Sequence, residues 1–310
     1  MSSSRQDGSP QASVNGHLTC TSTTLMATSL LAVLAFSLTF NGNSWPHDTA
    51  FVSLLPGATM VFRATGGPAG KYAMKADRGS VVQTSPTRWN WTAPATPGTY
   101  ALRFTGPERS IDVHAFVLVP ASRVKNGVLN GYAIGAYPAP RGRYQPPPGF
   151  IEVTKENDDT KLSPHFRLKQ FLCKQQPLDR FPQYAIVQEE LVLKLEAVLT
   201  RVRSLGFNAG TLHVMSGYRT PSYNAAIGDV PYSMHQWGSA ADVFVDTSHP
   251  DRMDDLNGDD RVDLADAKLL YDEIDRLVLP AGGLGYYPAT AAHPPFVHID
   301  ARGVKARWKG

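Results

Sequence analysis

Three short stretches in the last third of this 310-residue chain hold side chains able to do chemistry. The first is Ser216-Gly217-Tyr218-Arg219-Thr220-Pro221, followed by Asn224. The second runs Ser233-Met234-His235-Gln236-Trp237-Gly238-Ser239-Ala240-Ala241-Asp242, and the third His293-Pro294-Pro295-Phe296-Val297-His298-Ile299-Asp300. Side chains alternate between the faces of a strand. In FVHID, Val297 and Ile299 therefore suit a core, while Phe296, His298 and Asp300 take the other face. His298 can leave an apolar strand and point into a cleft. His235 sits in a loop before a second strand, and Asp242 lies where that strand begins. Two imidazoles and one carboxylate suit zinc, with a fourth position left for water. An open position marks a catalytic rather than a structural site. Zinc brings the pKa of its water to roughly 7 and polarises a carbonyl.

The motifs SGYRT, S-x-H-x-x-G-x-A-x-D and H-x-x-x-x-H occur in this order, and they resemble the zinc D-alanyl-D-alanine carboxypeptidase family. These are peptidoglycan peptidases that share the hedgehog-type fold. The likeness spans roughly residues 150–308. It implies His235, Asp242 and His298 as zinc ligands and Arg219 as the cation that stabilises an oxyanion. It implies Ser233 as a substrate-holding hydroxyl. Some relatives carry a general-base Glu three residues before the last His; Pro295 stands there in this chain. His293, five residues before His298, matches a branch with a histidine near the scissile bond. A histidine transfers protons near neutral pH. Asp300 is placed to orient a ligand imidazole. A surface ion pair is the competing reading for Arg219, and an exposed loop residue for His293. Packing is expected for Tyr218 and Trp237.

The implied activity is zinc-dependent hydrolysis of peptidoglycan stem peptides by metal-activated water, as a D-Ala-D-Ala carboxypeptidase or a D,D- or L,D-endopeptidase. The alternative is a non-catalytic, zinc-containing cell-wall-binding protein. No nucleic-acid partner is expected.

A further cluster is acidic. Residues 251–275 carry ten acidic and three basic side chains, a net of −7; the whole chain is +3, so the remainder is +10. Asp255, Asn257, Asp259, Arg261 and Asp266 take the first, third, fifth, seventh and twelfth places of a calcium loop, with Arg261 offering its carbonyl. The pattern resembles dockerin-type and EF-hand-like loops, with Asp260 where Gly is usual and Asp266 where Glu is usual. The competing reading is a solvated acidic loop in which Asp263 caps the helix that follows.

The elements that must position these residues are legible as periodicities. Residues 185–205 place Leu191, Leu195, Val198, Leu199 and Val202 on one helical face, with Gly206 as a stop. Strands are expected at 211–215, 240–246 and 296–300, and a helix at 264–278. Together they predict an α+β catalytic domain over 151–310, with a small antiparallel sheet and flanking helices.

Before it, residues 45–119 alternate in the strand manner between Pro and Gly turns (TMVFRAT, KYAMKAD, RWNWTAP, TYALRFT and IDVHAFVLV) and read as a β-sandwich. APATPGTYALRF resembles the late strands of immunoglobulin-like domains, which implies a spacer or wall-docking module. Residues 120–150 are expected to be a linker. Leu25–Phe40 is free of charge, longer than a signal-peptide core and shorter than a membrane span. Residues 1–44 are therefore expected to be an export signal or signal-anchor. The rest would lie outside the cytoplasm, in the periplasm or cell envelope, tethered to the inner membrane at most through residues 25–40. Cys20 and Cys173 are too few for a disulfide scaffold, and Cys173 is expected as a buried free thiol.

Overall fold

Alternation in the first half builds two β-sheets. A computed structural model describes residues 35–247 and 250–310. Residues up to 34 of the expected export segment, with Cys20, lie outside the described residues. Among the described residues no helix is long and apolar enough to cross a membrane. The strands of the first half are β1 (Ser37–Phe40), β2 (Asn43–Trp45), β3 (Thr49–Leu54), β4 (Thr59–Thr65), β5 (Ala73–Ala76), β6 (Ser80–Ser85), β7 (Arg88–Thr92), β8 (Gly98–Thr105) and β9 (Ser110–Val117). One sheet has the order β2-β1-β4-β7-β6, the other β3-β9-β8-β5. Their inner faces meet through aromatic rings. Phe62 and Trp89 of the first sheet pack on Phe104 of the second, with centroids 4.9 and 5.6 Å apart.

Two expected boundaries are corrected. The end of the apolar run is β1, with Leu38 and Phe40 buried in the sheet core, so the sandwich begins before residue 45. Leu38 and Phe40 alternate with Ser37 and Thr39, and that period-2 pattern serves a half-buried strand. Residues 120–150 are not a free linker either. They include the end of β10 (Val119–Pro120) and the small hairpin β11 (Val128–Leu129) and β12 (Tyr132–Ala133), and they bury Leu129 and Ile134. Strand β10 pairs with β13 (Gly149–Val153), which pairs with β14 (Gln183–Ala185).

The second half is mixed α and β. Helix α1 (Glu189–Ser204) buries Leu191, Leu195, Val198, Leu199 and Val202, the face expected from their spacing. Helix α2 (Pro221–Ala226) starts on Thr220, whose hydroxyl accepts the Tyr223 N–H at 3.1 Å. Helix α3 (Leu264–Asp275) is capped by Asp263. The strands are β15 (His213–Ser216), β16 (Ala240–Phe244), β17 (Gly283–Tyr287), β18 (Phe296–Asp300) and β19 (Ala306–Lys309), in the order β15-β16-β18-β17-β19. The sheet is antiparallel except for the parallel pair β17–β19, which departs from the all-antiparallel expectation. All five residues of β18 are buried, because β16 and β17 flank it and both faces are covered. Cys173 is a buried free thiol, as expected.

Candidate metal centre

Strand register builds this site. Ser216 stands opposite Asp242, Asp242 opposite His298, His298 opposite Gly285, and Gly285 opposite Trp308. One row thus crosses all five strands. Gly285 is required there, since a Cβ at that position would run into the Trp308 indole. The third ligand candidate comes from outside the sheet. His235 lies in the short 3-10 turn Met234–Trp237, closed by Gly238 at φ +63°. A Cβ on Gly238 would run into the Ile186 carbonyl, so that turn needs glycine for space as well as for its left-handed backbone.

The three side chains converge. His298 Nδ1 is 2.9 Å from Asp242 Oδ1, His235 Nε2 is 3.3 Å from Asp242 Oδ1, and the two nitrogens are 3.3 Å apart. A tetrahedral zinc with ligand bonds of about 2.0–2.1 Å has ligand–ligand edges of roughly 3.3–3.4 Å. All three residues are buried. The atom of each that faces away from the convergence point is tied down. His235 Nδ1 donates to the Gly217 carbonyl at 2.7 Å, which leaves the Nε2 lone pair aimed inward. Asp242 Oδ2 accepts from Arg219 Nη2. His298 Nε2 faces Asp300 Oδ2 at 3.2 Å. Outer partners of this kind set the tautomer and the orientation of a metal ligand, so the donor set fits zinc.

The electrostatics agree. Burial pulls the His298 ring down, but its bonds to Asp242 and Asp300 outweigh that and lift it to about 9. Metal binding requires the Nδ1 proton to leave, and Asp300 keeps the Nε2–H. Burial would raise Asp300, yet the bonds from His298 and Arg302 hold it well below the usual carboxylate range. Asp300 also accepts the Gly283 N–H at 2.7 Å. Burial lowers His235. Burial opposes ionisation of Asp242, but the two histidines keep it charged.

A cavity of about 410 Å³ opens above the row, lined by Arg219, Ser233, Tyr232, Tyr287, Phe296 and Trp308 among others. Ser233, expected as a substrate hydroxyl, is there, and its side chain makes no hydrogen bond among the described residues. Arg219 is there too, but its guanidinium is engaged. Nε donates to Ser216 Oγ at 2.7 Å, Nη1 to Asp229 Oδ2 at 2.8 Å, and Nη2 to Asp242. Three of its five N–H donors thus fix Asp242 and the neighbouring turn. His293 is not among the residues lining the cavity. Its Nδ1 donates to the Pro294 carbonyl at 2.9 Å, and its ring packs edge-on against Phe296. Tyr218 and Trp237 are packed and buried, as expected. Sequence reasoning missed Arg302 and Trp308. Arg302 lies 5.1 Å over the Trp308 ring and grips Asp300. The apolar–cation spacing of a short terminal strand is too weak a signal to find them.

The carboxylates of the acidic loop do not converge as a cluster. Among the described residues two clusters of metal-binding groups converge, and neither contains Asp255, Asp259 or Asp266. Its carboxylates accept bonds from the loop's own backbone N–H groups. Asp266 is buried and accepts from Leu256, Asn257 and Asp263 at 2.7, 3.2 and 2.8 Å. Asp255 accepts from Gly258 and Asp260, Asn257 from Asp259, and Asp259 from Arg261. Asp263 caps α3 through the Ala265 N–H. Asp260 has φ +64°, the left-handed backbone expected at the sixth place. The other converging cluster is His213, Asp246 and Asp251, with His213 Nδ1 3.6 and 3.4 Å from the two carboxylates.

His235, Asp242 and His298 thus form a candidate metal centre with three protein donors. Residues 164–258 match the family model Peptidase M15, a zinc peptidase family that includes the D-alanyl-D-alanine carboxypeptidases. The match takes in Arg219, Ser233, His235 and Asp242 and stops before His298. No curated protein matches the chain. Among solved structures, an endo-fucoidan hydrolase, MfFcnA9 from glycoside hydrolase family 107, shares 16% identity over 32% of this chain and 19% of that one. Its TM-score of 0.19 carries no argument about fold or function.

Proposed function

We propose that the chain is a zinc-dependent peptidase that cleaves peptide bonds in peptidoglycan stem peptides outside the cytoplasm. One observation carries this reading: three buried donors converge at zinc-like spacing beneath an open cavity, each held by an outer partner. Bound zinc supplies a nucleophilic water near neutral pH and polarises the scissile carbonyl. The chain's own residues do the rest. Arg219 holds Asp242 in place and keeps two N–H donors for the carbonyl oxygen as charge develops on it. Ser233 offers a free hydroxyl to the peptide. Tyr287, Phe296 and Trp308 give the cavity aromatic surface for apolar parts of the substrate. Asp300 holds the His298 ring through Nε2. The first half serves as an immunoglobulin-like module. Its support is strand order: β1-β4-β7-β6 and β5-β8-β9 follow the A-B-E-D and C-F-G arrangement of such folds.

The second reading is a wall-binding protein that keeps zinc without turnover. The position of His293 outside the cavity lining favours it, because the expected proton-transfer group is then lacking. Mass spectrometry of purified muropeptides incubated with the zinc-loaded protein separates the two. Loss of a defined stem residue or crosslink, absent with His298→Ala, is the expected result. Unchanged muropeptides would leave the binding reading.

A further inference from the structure

The turn packed on the metal-bearing loop carries two arginines without acidic partners among the described residues, and it touches the cavity wall at Tyr232. Residues 137–145, expected as linker, are clamped to the segment that holds His235. Tyr137 Oη donates to the Gln236 carbonyl at 3.0 Å, and Tyr232 Oη to the Ala139 carbonyl at 3.0 Å. Trp237 Nε1 donates to the Gln145 carbonyl at 2.8 Å. The Tyr144 ring packs against both Tyr232 and Trp237, 5.1 Å from each. Reciprocal backbone bonds of 3.3 and 3.0 Å between Arg141 and Tyr144 close the turn.

This frame aims Arg141 and Arg143. The Arg141 guanidinium lies 5.6 Å over the Tyr232 ring, and Tyr232 lines the cavity. Arg143 Nη1 comes within 3.4 Å of where a Cβ on Gly303 would sit, one residue from cavity-lining Arg302. Both arginines are exposed, and neither makes an ion pair among the described residues. The cations inside the cavity differ. Arg219 is paired with Asp229 and Asp242, and Arg302 with Asp300. Charge available to an incoming anion therefore sits outside the lining, with Arg141 stacked on the cavity's Tyr232 and Arg143 beside Gly303, where it also lines a neighbouring cavity with Gln145 and Trp237. A guanidinium grips a carboxylate through two parallel bonds, and stacking on an aromatic ring restrains it at little entropic cost.

We infer that Arg141 and Arg143 form a carboxylate-binding rim that selects peptides with a free carboxylate beside the bond held over the metal. The inference rests on the peptidase or peptide-binding reading above and names the chemistry of its ligand. The carboxylate can come from the peptide C-terminus or from an acidic side chain.

Calorimetric titration tests it on the full chain stripped of metal, so that nothing turns over. The probes are a stem pentapeptide with free carboxylates, its C-terminal amide, and the same peptide with side-chain carboxylates amidated. The parent binds the free peptide, and Arg141→Gln/Arg143→Gln weakens that binding roughly tenfold, as lost charge-assisted bonds at an exposed site do. The variant and the parent bind equally the one amide that lacks the contacted carboxylate, which identifies the source. Zinc stoichiometry of the variant stays that of the parent. Three results overturn the inference: no binding by the parent, a change below twofold in the variant, or an equal loss on all three peptides, which marks general electrostatic attraction. Muropeptide hydrolysis by the zinc-loaded parent is scored separately, so a failed rim and a failed peptidase are distinct outcomes.

Discussion

The two halves of the molecule are held together by different means. Every buried polar or charged residue among the described residues lies at Ser163 or beyond, and none belongs to the sandwich. The sandwich core is Trp45, Phe51, Phe62, Trp89, Trp91, Phe104 and their aliphatic neighbours. The second half buries His235, Asp242, His298, Asp300, Lys194 and Glu196. Apolar burial stabilises without direction, whereas a buried charge costs energy unless each of its bonds is met. The first half is built for stability and the second for aim. Lys194 shows the difference. It is buried beneath α1, its Nζ donates to the Asp300 carbonyl at 2.9 Å, and so it ties the helix to the end of the metal-bearing strand.

Substitutions break this contrast in a graded way. The largest effect belongs to His298→Ala, which should abolish both zinc retention and muropeptide hydrolysis. A zinc content still near one per chain, read by atomic absorption, would remove His298 from the ligand set. Next comes Phe104→Ala in the sandwich, where the ring fills the space between Phe62 and Trp89. It should lower stability to denaturant by about 3–5 kcal/mol and leave zinc stoichiometry untouched. Coupled loss of both would show that the halves are not separable. Asp300→Asn keeps the shape but removes the charge behind His298, and zinc affinity should fall about 10–100-fold.

A smaller effect sits where the halves meet. Asn41 of the β1–β2 turn donates to Glu189 Oε1 at 3.1 Å. Burial raises the Glu189 carboxyl, although the Asn41 bond partly opposes it. A raised carboxyl contributes stability that is full below the ordinary carboxylate pKa and is lost as pH rises through the folded value. Glu189→Gln should therefore raise Tm at pH 8 and leave it unchanged at pH 4. Equal Tm shifts at both pH values would locate the effect elsewhere. The smallest expected effect is zero: EGTA, then added Ca²⁺, should not move the Tm, because the loop's carboxylates do not converge as a cluster. A calcium-dependent rise would restore the metal reading of that loop.

The helical face of α1, the strand FVHID and the strands β4, β5, β7, β8 and β9 were legible because each is an alternating or periodic pattern carried by one segment, whereas the mostly exposed β6 offered none. The residues His235, Asp242 and His298 were legible because their spacing was familiar and their types suit one metal. The calcium reading rests on spacing alone, since the loop's carboxylates do not converge as a cluster. Spacing sets which residues lie on one loop, but only the folded loop shows that Asp266 is buried and accepts three backbone N–H bonds. The linker reading of 120–150 failed. Pro and Gly in PAPRGRYQPPPG signal irregular backbone, and irregular backbone can be as tightly packed as a strand when Tyr137 and Tyr144 anchor it.

What the sequence determined by itself was local: which segments are strands or helices, which residue types can hold zinc, and where Gly206 stops α1. The tertiary structure alone decided the register that lines up Ser216, Asp242, His298, Gly285 and Trp308. It also decided that Arg219 braces Asp242 and that His293 stays outside the cavity lining. Those outcomes depend on pairing between segments far apart in the chain. A one-residue slip in such pairing would turn every side chain to the other face, and no single segment carries the information that prevents it.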